Sequence, residues 1–227
     1  MTDPNQPSPK YRLRLVFAKK SQVKYISHLD LSLAWERALR RAQIPLAYSQ
    51  GFNPRPKIQF ASGLPLGTTG SSEIMDIIVT EPLDPDEIKP RIKAALPTGI
   101  GLHSIQTIPL KAPTLQHLLR QADYRVKIET DLSPDDLAER VQDLLKADKI
   151  IQTRRRRKRE EEIDLRPWLH ELTLDSVGDG EAQLTMQLTA GQFGNLRPEA
   201  VLKALGMEED WAELERTRLI FEDDIAD

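Results

Sequence analysis

The segment Tyr11–Gln43, YRLRLVFAKKSQVKYISHLDLSLAWERALRRAQ, changes its hydrophobic period part-way along, and that change decides the fold. In its first seven residues Leu13, Leu15 and Phe17 alternate with Arg12 and Arg14, the period-2 pattern of a half-buried strand. After Ser27 the spacing becomes helical: Leu31, Ala34, Trp35, Ala38 and Ala42 share one stripe, with Arg37, Arg40 and Arg41 opposite. Ser27, three residues before Asp30, gives a capping-box-like start. A strand followed by a helix is the first half of a split βαβ unit.

Working outward, LAYSQ (46–50) reads as a short second strand and KIQFA (57–61) as its continuation. EIMDIIV (73–79) reads as a third strand, with Ile74, Asp76 and Ile78 on one side and Met75, Ile77 and Val79 on the other. Asp84 caps a helix that has Pro85 at its first position and Pro90 one turn in, a bend point, and GLHSIQTIPL (101–110) closes with a strand. The order βαββαβ then recurs. YRVKIET (124–130) is a strand and SPDDLAERVQDLLKA (133–147) a Ser133-capped helix; KIIQTRRR (149–156) and EIDLRPWLHELTLD (162–175) are strand-like. EAQLTMQLT (181–189) alternates, RPEAVLKAL (197–205) is a short helix, and ERTRLIFE (215–222) a last strand. The expectation is an α+β chain of two tandem ferredoxin-like (βαββαβ) domains, 10–110 and 123–227, joined by a linker at 111–122 and preceded by a disordered leader at 1–9.

Composition narrows the chemistry. Cysteine is absent, which excludes disulfides, thiol nucleophiles and thiolate-held zinc or iron-sulfur clusters within this chain. His28, His103, His117 and His170 lie far apart with no HExxH or HxH pair, so no metal and no other cofactor is expected. No GxxxxGK[ST], GxGxxG, GxSxG or EF-hand pattern occurs. No apolar run approaches the roughly 20 residues that span a bilayer, and MTDPNQPSPK (1–10) lacks a signal-peptide core. A cytoplasmic protein is expected. The net charge of −3 hides an asymmetry: residues 1–120 carry sixteen Lys and Arg against nine Asp and Glu, a balance of +7, leaving −10 for residues 121–227. The first sixty residues hold eleven basic and three acidic side chains, a composition that favours phosphate-rich partners if it gathers on one face.

Three stretches are candidate contacts. AYSQGFNPRPKIQFASGLPLG (47–67) gathers Tyr48, Gln50, Phe52, Asn53, Arg55 and Lys57, rings beside cations as in single-stranded RNA sites. Pro54 and Pro56 restrict its freedom, which fits both a binding loop and a simple change of chain direction. Placed between strands two and three, it exceeds the two to five residues that a hairpin needs. Ser27, His28 and Asp30 open the first helix, where free N–H groups attract anions and His28 is placed to act as a base; capping alone also explains them. TRRRRKREEE (153–162) sets six cations, Arg154 and Arg155 first, before three glutamates, a phosphate grip or a solvated hairpin. Leu-Arg-Pro recurs at 165–167 and 196–198, placing Arg166 and Arg197 where one element gives way to the next.

With YISHLD (25–30), YSQGFNPRPK (48–57), EIMDIIV (73–79), EIDLRPWL (162–169) and GNLRPEAVLKALG (194–206) in view, the chain resembles the radical-SAM-linked protein family over roughly residues 10–221. This is a bacterial domain of unknown function found beside, or fused to, a B12-binding-type radical SAM protein. The resemblance implies a radical SAM protein as partner and supplies no catalytic residues. A cluster enzyme of that kind needs three thiolates, so this cysteine-free chain is expected to be the accessory half. Paired ferredoxin-like domains also occur in CRISPR repeat-processing endoribonucleases, a likeness of architecture only. The leading expectation is a non-catalytic accessory protein that binds RNA (tRNA or rRNA) or presents substrate. Two others stay open: a metal-independent endoribonuclease with His28 as base and Arg55 or Lys57 stabilising charge, and a pure protein–protein adaptor.

Overall fold

The computed structural model describes residues 10–156 and 159–222, with backbone alone for residues 154–156 and 159. The expected leader, residues 1–9, lies outside the described residues. The chain divides into two compact units, 1–118 and 119–227. Among the described residues no helix is long and apolar enough to cross a membrane.

The first unit runs β1 (Tyr11–Lys19), α1 (His28–Arg41), β2 (Ile58–Phe60), β3 (Thr69–Val79), α2 (Pro85–Ala95), β4 (Ile100–Ile108) and a single turn α3 (Leu115–Leu118). Its strands lie in the order β4-β1-β3-β2, every pairing antiparallel. The alternation in β1 is fulfilled: Leu13, Leu15 and Phe17 are buried and pack with Met75, Ile77 and Val79 of β3 and with Leu31, Trp35 and Leu39 of α1. Trp35 meets Phe17 edge-on at 5.1 Å, and Phe17 meets Phe60 at 5.8 Å. The expected cap of α1 forms in full, Ser27 and Asp30 exchanging bonds as a capping box. Helix α2 continues through Pro90 to Ala95.

The second unit runs β5 (Leu119–Glu129), α4 (Pro134–Lys146), β6 (Ile151–Arg156), β7 (Arg159–Asp164), β8 (Leu169–Gly178), β9 (Glu181–Thr189), α5 (Pro198–Ala204) and β10 (Ala212–Phe221). Strand order is β10-β5-β9-β8, again antiparallel, while β6 and β7 form a separate two-stranded ribbon. With that ribbon set aside, each unit is a βαββαβ arrangement of mixed α+β class.

Two expected strands differ. LAYSQ makes only isolated bridges, Leu46 to Val79 and Tyr48 to Pro56, because the chain turns back at Gly51 directly beyond the second bridge. EIDLRPWLHELTLD is broken by Pro167: β7 ends at Asp164, a 3-10 turn covers Arg166–Trp168, and β8 starts at Leu169.

The charge reading changes more. Arg12 and Asp76 are buried at 4% and 2% exposure. The guanidinium donates to Asp76 Oδ2 at 2.5 Å and to the carbonyls of Ala112 (2.6 Å) and Pro113 (2.9 Å). Arg14 donates to the same carboxylate at 2.9 Å. Lys19, also buried, donates to the carbonyls of Lys24 and Thr68 at 2.9 and 3.2 Å. Arg41 donates to the Ala95 carbonyl at the end of α2. Four of the eleven basic residues that suggested an electropositive face therefore hold the unit together. Breaking a buried pair leaves an uncompensated charge inside, so Asp76→Asn is expected to lower unfolding free energy by about 3–5 kcal/mol. Urea unfolding measures it; a loss under about 1 kcal/mol contradicts the assignment.

Candidate nucleic-acid interface

The stretch 47–67 is tied to β3 along β2, and the two ends of its first half meet β3 at Ile78. Ala47 N–H donates to the Ile78 carbonyl at 2.8 Å, Ile78 N–H to the Lys57 carbonyl at 3.0 Å, and Lys57 N–H to the Ala47 carbonyl at 2.8 Å. One step outward, Ser49 N–H donates to the Arg55 carbonyl (2.8 Å) and Arg55 N–H to Ser49 Oγ (3.0 Å). These bonds close a tight loop whose tip, residues 50–54, turns at Gly51 with φ +124°, a backbone state that suits glycine. Most of the stretch thus precedes β2 and links it to α1; only residues 61–68 join β2 to β3. That corrects its expected position between the second and third strands.

At the tip Phe52 is fully exposed, and Tyr48 at the base is 40% exposed. Gln50, Asn53, Arg55 and Lys57 are exposed around them. The second half of the stretch packs against the start of α1. The His28 ring meets Phe60 edge-on at 5.0 Å, and a Cβ on Gly63 would lie 3.8 Å from that imidazole. Gly67 N–H donates to the Lys24 carbonyl at 2.9 Å. Ser27 and Asp30 are occupied with one another: Ser27 Oγ accepts from Asp30 N–H at 3.1 Å and donates to its carboxylate at 2.7 Å. The helix start already has its own anion. Among the described residues no group of three or more His, Asp or Glu is placed to hold a metal ion.

The remaining candidates belong to the second unit. Register sets Arg154 opposite Glu161 and Arg155 opposite Glu160; the side chains of Arg154 and Arg155 lie outside the described residues. Arg166 is a structural bracket, its guanidinium donating to the carbonyls of Leu169 (2.9 Å) and Leu145 (3.3 Å). Arg197 is exposed, immediately before α5. Sequence reasoning passed over Phe193, 61% exposed and held beneath Arg120 with the guanidinium carbon 4.3 Å from the ring centre. The signal was present: Phe193-Gly-Asn-Leu-Arg-Pro198 repeats, with one extra glycine, the order of Phe52-Asn-Pro-Arg-Pro56.

A family model described as "Uncharacterized protein conserved in bacteria (DUF2344)" matches residues 12–198. The chain belongs to this family. No curated protein matches this family member. A solved chain titled "Crystal Structure of a Cbf5-Nop10-Gar1 Complex" superposes with a TM-score of 0.52 at 12% identity, over 96% of this chain and 55% of that one. The chain spans about half of that structure's length, and at this identity the likeness concerns fold alone. An unknown protein from Galdieria sulphuraria aligns over 92% of this chain at 15% identity and covers 99% of its own length, with a TM-score of 0.27.

Asp164 fixes the turn into β8. Its carboxylate accepts from the N–H groups of Ile150 (2.9 Å) and Arg166 (3.0 Å), and these bonds, the Ile150 one foremost, pull its pKa below the usual 3.8. A carboxyl depressed in the folded state adds stability above its unfolded value and loses it as pH falls through the folded one. Thermal melts of wild type are therefore expected to lose stability on acidification below about pH 4, with a smaller loss in Asp164→Asn. Parallel pH profiles contradict this role.

Proposed function

We propose that this protein is a non-catalytic accessory protein whose first unit binds single-stranded RNA on the loop 48–57 and which serves a radical SAM enzyme. We read its two α+β units as tandem ferredoxin-like domains and the protein as cytoplasmic. The observation that carries the reading is Phe52, fully exposed at the tip of a loop closed by its own backbone bonds. A ring in that position has its faces free to stack on bases, each stack contributing about 1–3 kcal/mol, and pre-ordering lowers the entropy lost on binding. Tyr48 adds a second ring, and Arg55 and Lys57 flank Pro56 as exposed cations. Binding is preferred to RNA cleavage by His28 because Ser27 and Asp30 are engaged in the capping box and His28 packs on Phe60. The radical SAM partner rests on the sequence resemblance.

Fluorescence anisotropy with a labelled single-stranded RNA tests the loop. Phe52→Ala is expected to weaken binding roughly five- to 150-fold, the range that one lost stack gives. Arg55→Ala with Lys57→Ala is expected to reduce the salt slope of log K by about 1.4, for two phosphate contacts on a single strand. Affinity unchanged in all three substitutions overturns the RNA reading. Co-purification from a native host that recovers RNA but no radical SAM protein overturns the partnership alone.

A further inference from the structure

The two Leu-Arg-Pro segments meet at one place. Leu165 and Leu196, buried at 6% and 2%, both line a cavity of about 570 Å³ in the second unit. The ribbon β6–β7 closes one side, Gln152 donating its amide to the Ala200 carbonyl of α5 at 2.7 Å. The 3-10 turn bearing Trp168 forms another side, set by the Asp164 bonds to Ile150 and Arg166. The loop after β9 forms the third, held by Leu196 N–H donating to the Thr189 carbonyl at 3.0 Å. Gly194 lets that loop lie against the indole: at φ +156°, a Cβ there would sit 3.0 Å from Trp168 Nε1 and 3.1 Å from Thr189 Cγ2. The Gly194 backbone thereby lies directly against the Trp168 indole at the cavity wall.

The chemistry of the lining is selective. Trp168 offers a ring for stacking, Asn195 an amide that both donates and accepts, Glu199 an acceptor for an exocyclic amine, and Arg197 a guanidinium. A planar heterocycle with a hydrogen-bonding edge, joined to an anionic group, complements this set. The volume falls within the range of small-molecule sites, roughly 300–1,000 Å³. Thr153, also at the wall, leads directly into the six cationic residues 154–159.

We propose that this cavity binds one nucleotide, its base against Trp168 and its phosphate toward Arg197. The site goes beyond loop 48–57 and stands without it, since every residue it uses lies in the other unit. A nucleotide reaches it either as a free 5′-monophosphate or as one residue of a single strand, and binding measurements distinguish the two.

The test is calorimetric titration of the full chain with AMP, GMP, CMP and UMP in turn, and with a short single-stranded RNA, with tryptophan fluorescence as a second readout. Saturable binding of at least one monophosphate is expected for a free nucleotide; binding of the oligonucleotide alone identifies a strand as the source. In either arm Arg197→Ala, at an exposed position, is expected to weaken binding at least about tenfold, the loss that one charge-assisted contact gives. Trp168→Phe is expected to keep affinity within a few-fold while removing the ligand-induced fluorescence change. Phe52→Ala is expected to leave monophosphate binding unchanged, which separates this site from the loop. For a strand, competition by Phe52→Ala and Arg197→Ala chains assigns the two contributions. No saturable binding tighter than about 1 mM in either arm, or binding indifferent to Arg197→Ala, overturns the proposal.

Discussion

One carboxylate organises the first unit. Asp76 lies directly opposite Arg14 in the β1–β3 register and also receives the guanidinium of Arg12, so a buried anion is matched by cations two residues apart on the adjacent strand. Slipping the register by one residue would turn Asp76 into the apolar layer formed by Leu13, Leu15 and Met75, leaving the carboxylate and both guanidinium groups unpaired. The pairing therefore fixes where β3 stands. Two residues further on, Ile78 accepts from Ala47 and donates to Lys57, holding both ends of the loop that carries Phe52. The position of the candidate interface thus follows from an interaction that never touches it.

The two units show the same plan put to different use. Ser27 with Asp30 and Ser133 with Asp136 cap the first helix of each by the same bonds. An Arg-Pro pair enters each second strand of the arrangement: Arg55-Pro56 begins three residues before β2, and Arg166-Pro167 three residues before β8. In the first unit the arginine is exposed on a loop. In the second the inserted ribbon β6–β7 intervenes, and Arg166 turns inward to the carbonyls of Leu145 and Leu169. What is a surface cation in one copy is a bracket in the other, and beside that bracket lies the cavity.

Much of the framework was legible because it is local. Period-2 alternation found β1, β3 and β9, the cap residues Ser27 and Ser133 marked the starts of α1 and α4, and the helical stripe placed Trp35 in the core. What escaped depends on residues far apart in sequence. Arg12 reads as a solvent-facing member of an alternating strand, yet it is buried because the segment at Ala112 and Pro113, a hundred residues on, lies over it. Lys19 escaped similarly, its carbonyl partners lying at Lys24 and Thr68. The repeated Leu-Arg-Pro had no local reason; its leucines meet only when β6–β7, the 3-10 turn and α5 have come together. The tip of the loop 48–57 was legible as rings beside cations, but not that Phe52 stands wholly free.

The proposed function depends on Phe52 and Tyr48, held on a pre-formed loop, stacking on single-stranded RNA. Ultraviolet cross-linking of the full chain to a single-stranded RNA, followed by proteolysis and mass spectrometry, reads those contacts residue by residue. Adducts at Phe52 or Tyr48 are the predicted result, with an added adduct at Trp168 if a strand, and not a free nucleotide, fills the cavity of the second unit. Adducts at neither Phe52 nor Tyr48, confined instead to positions such as the exposed Tyr25, or no adduct at low salt, would contradict RNA binding on this loop.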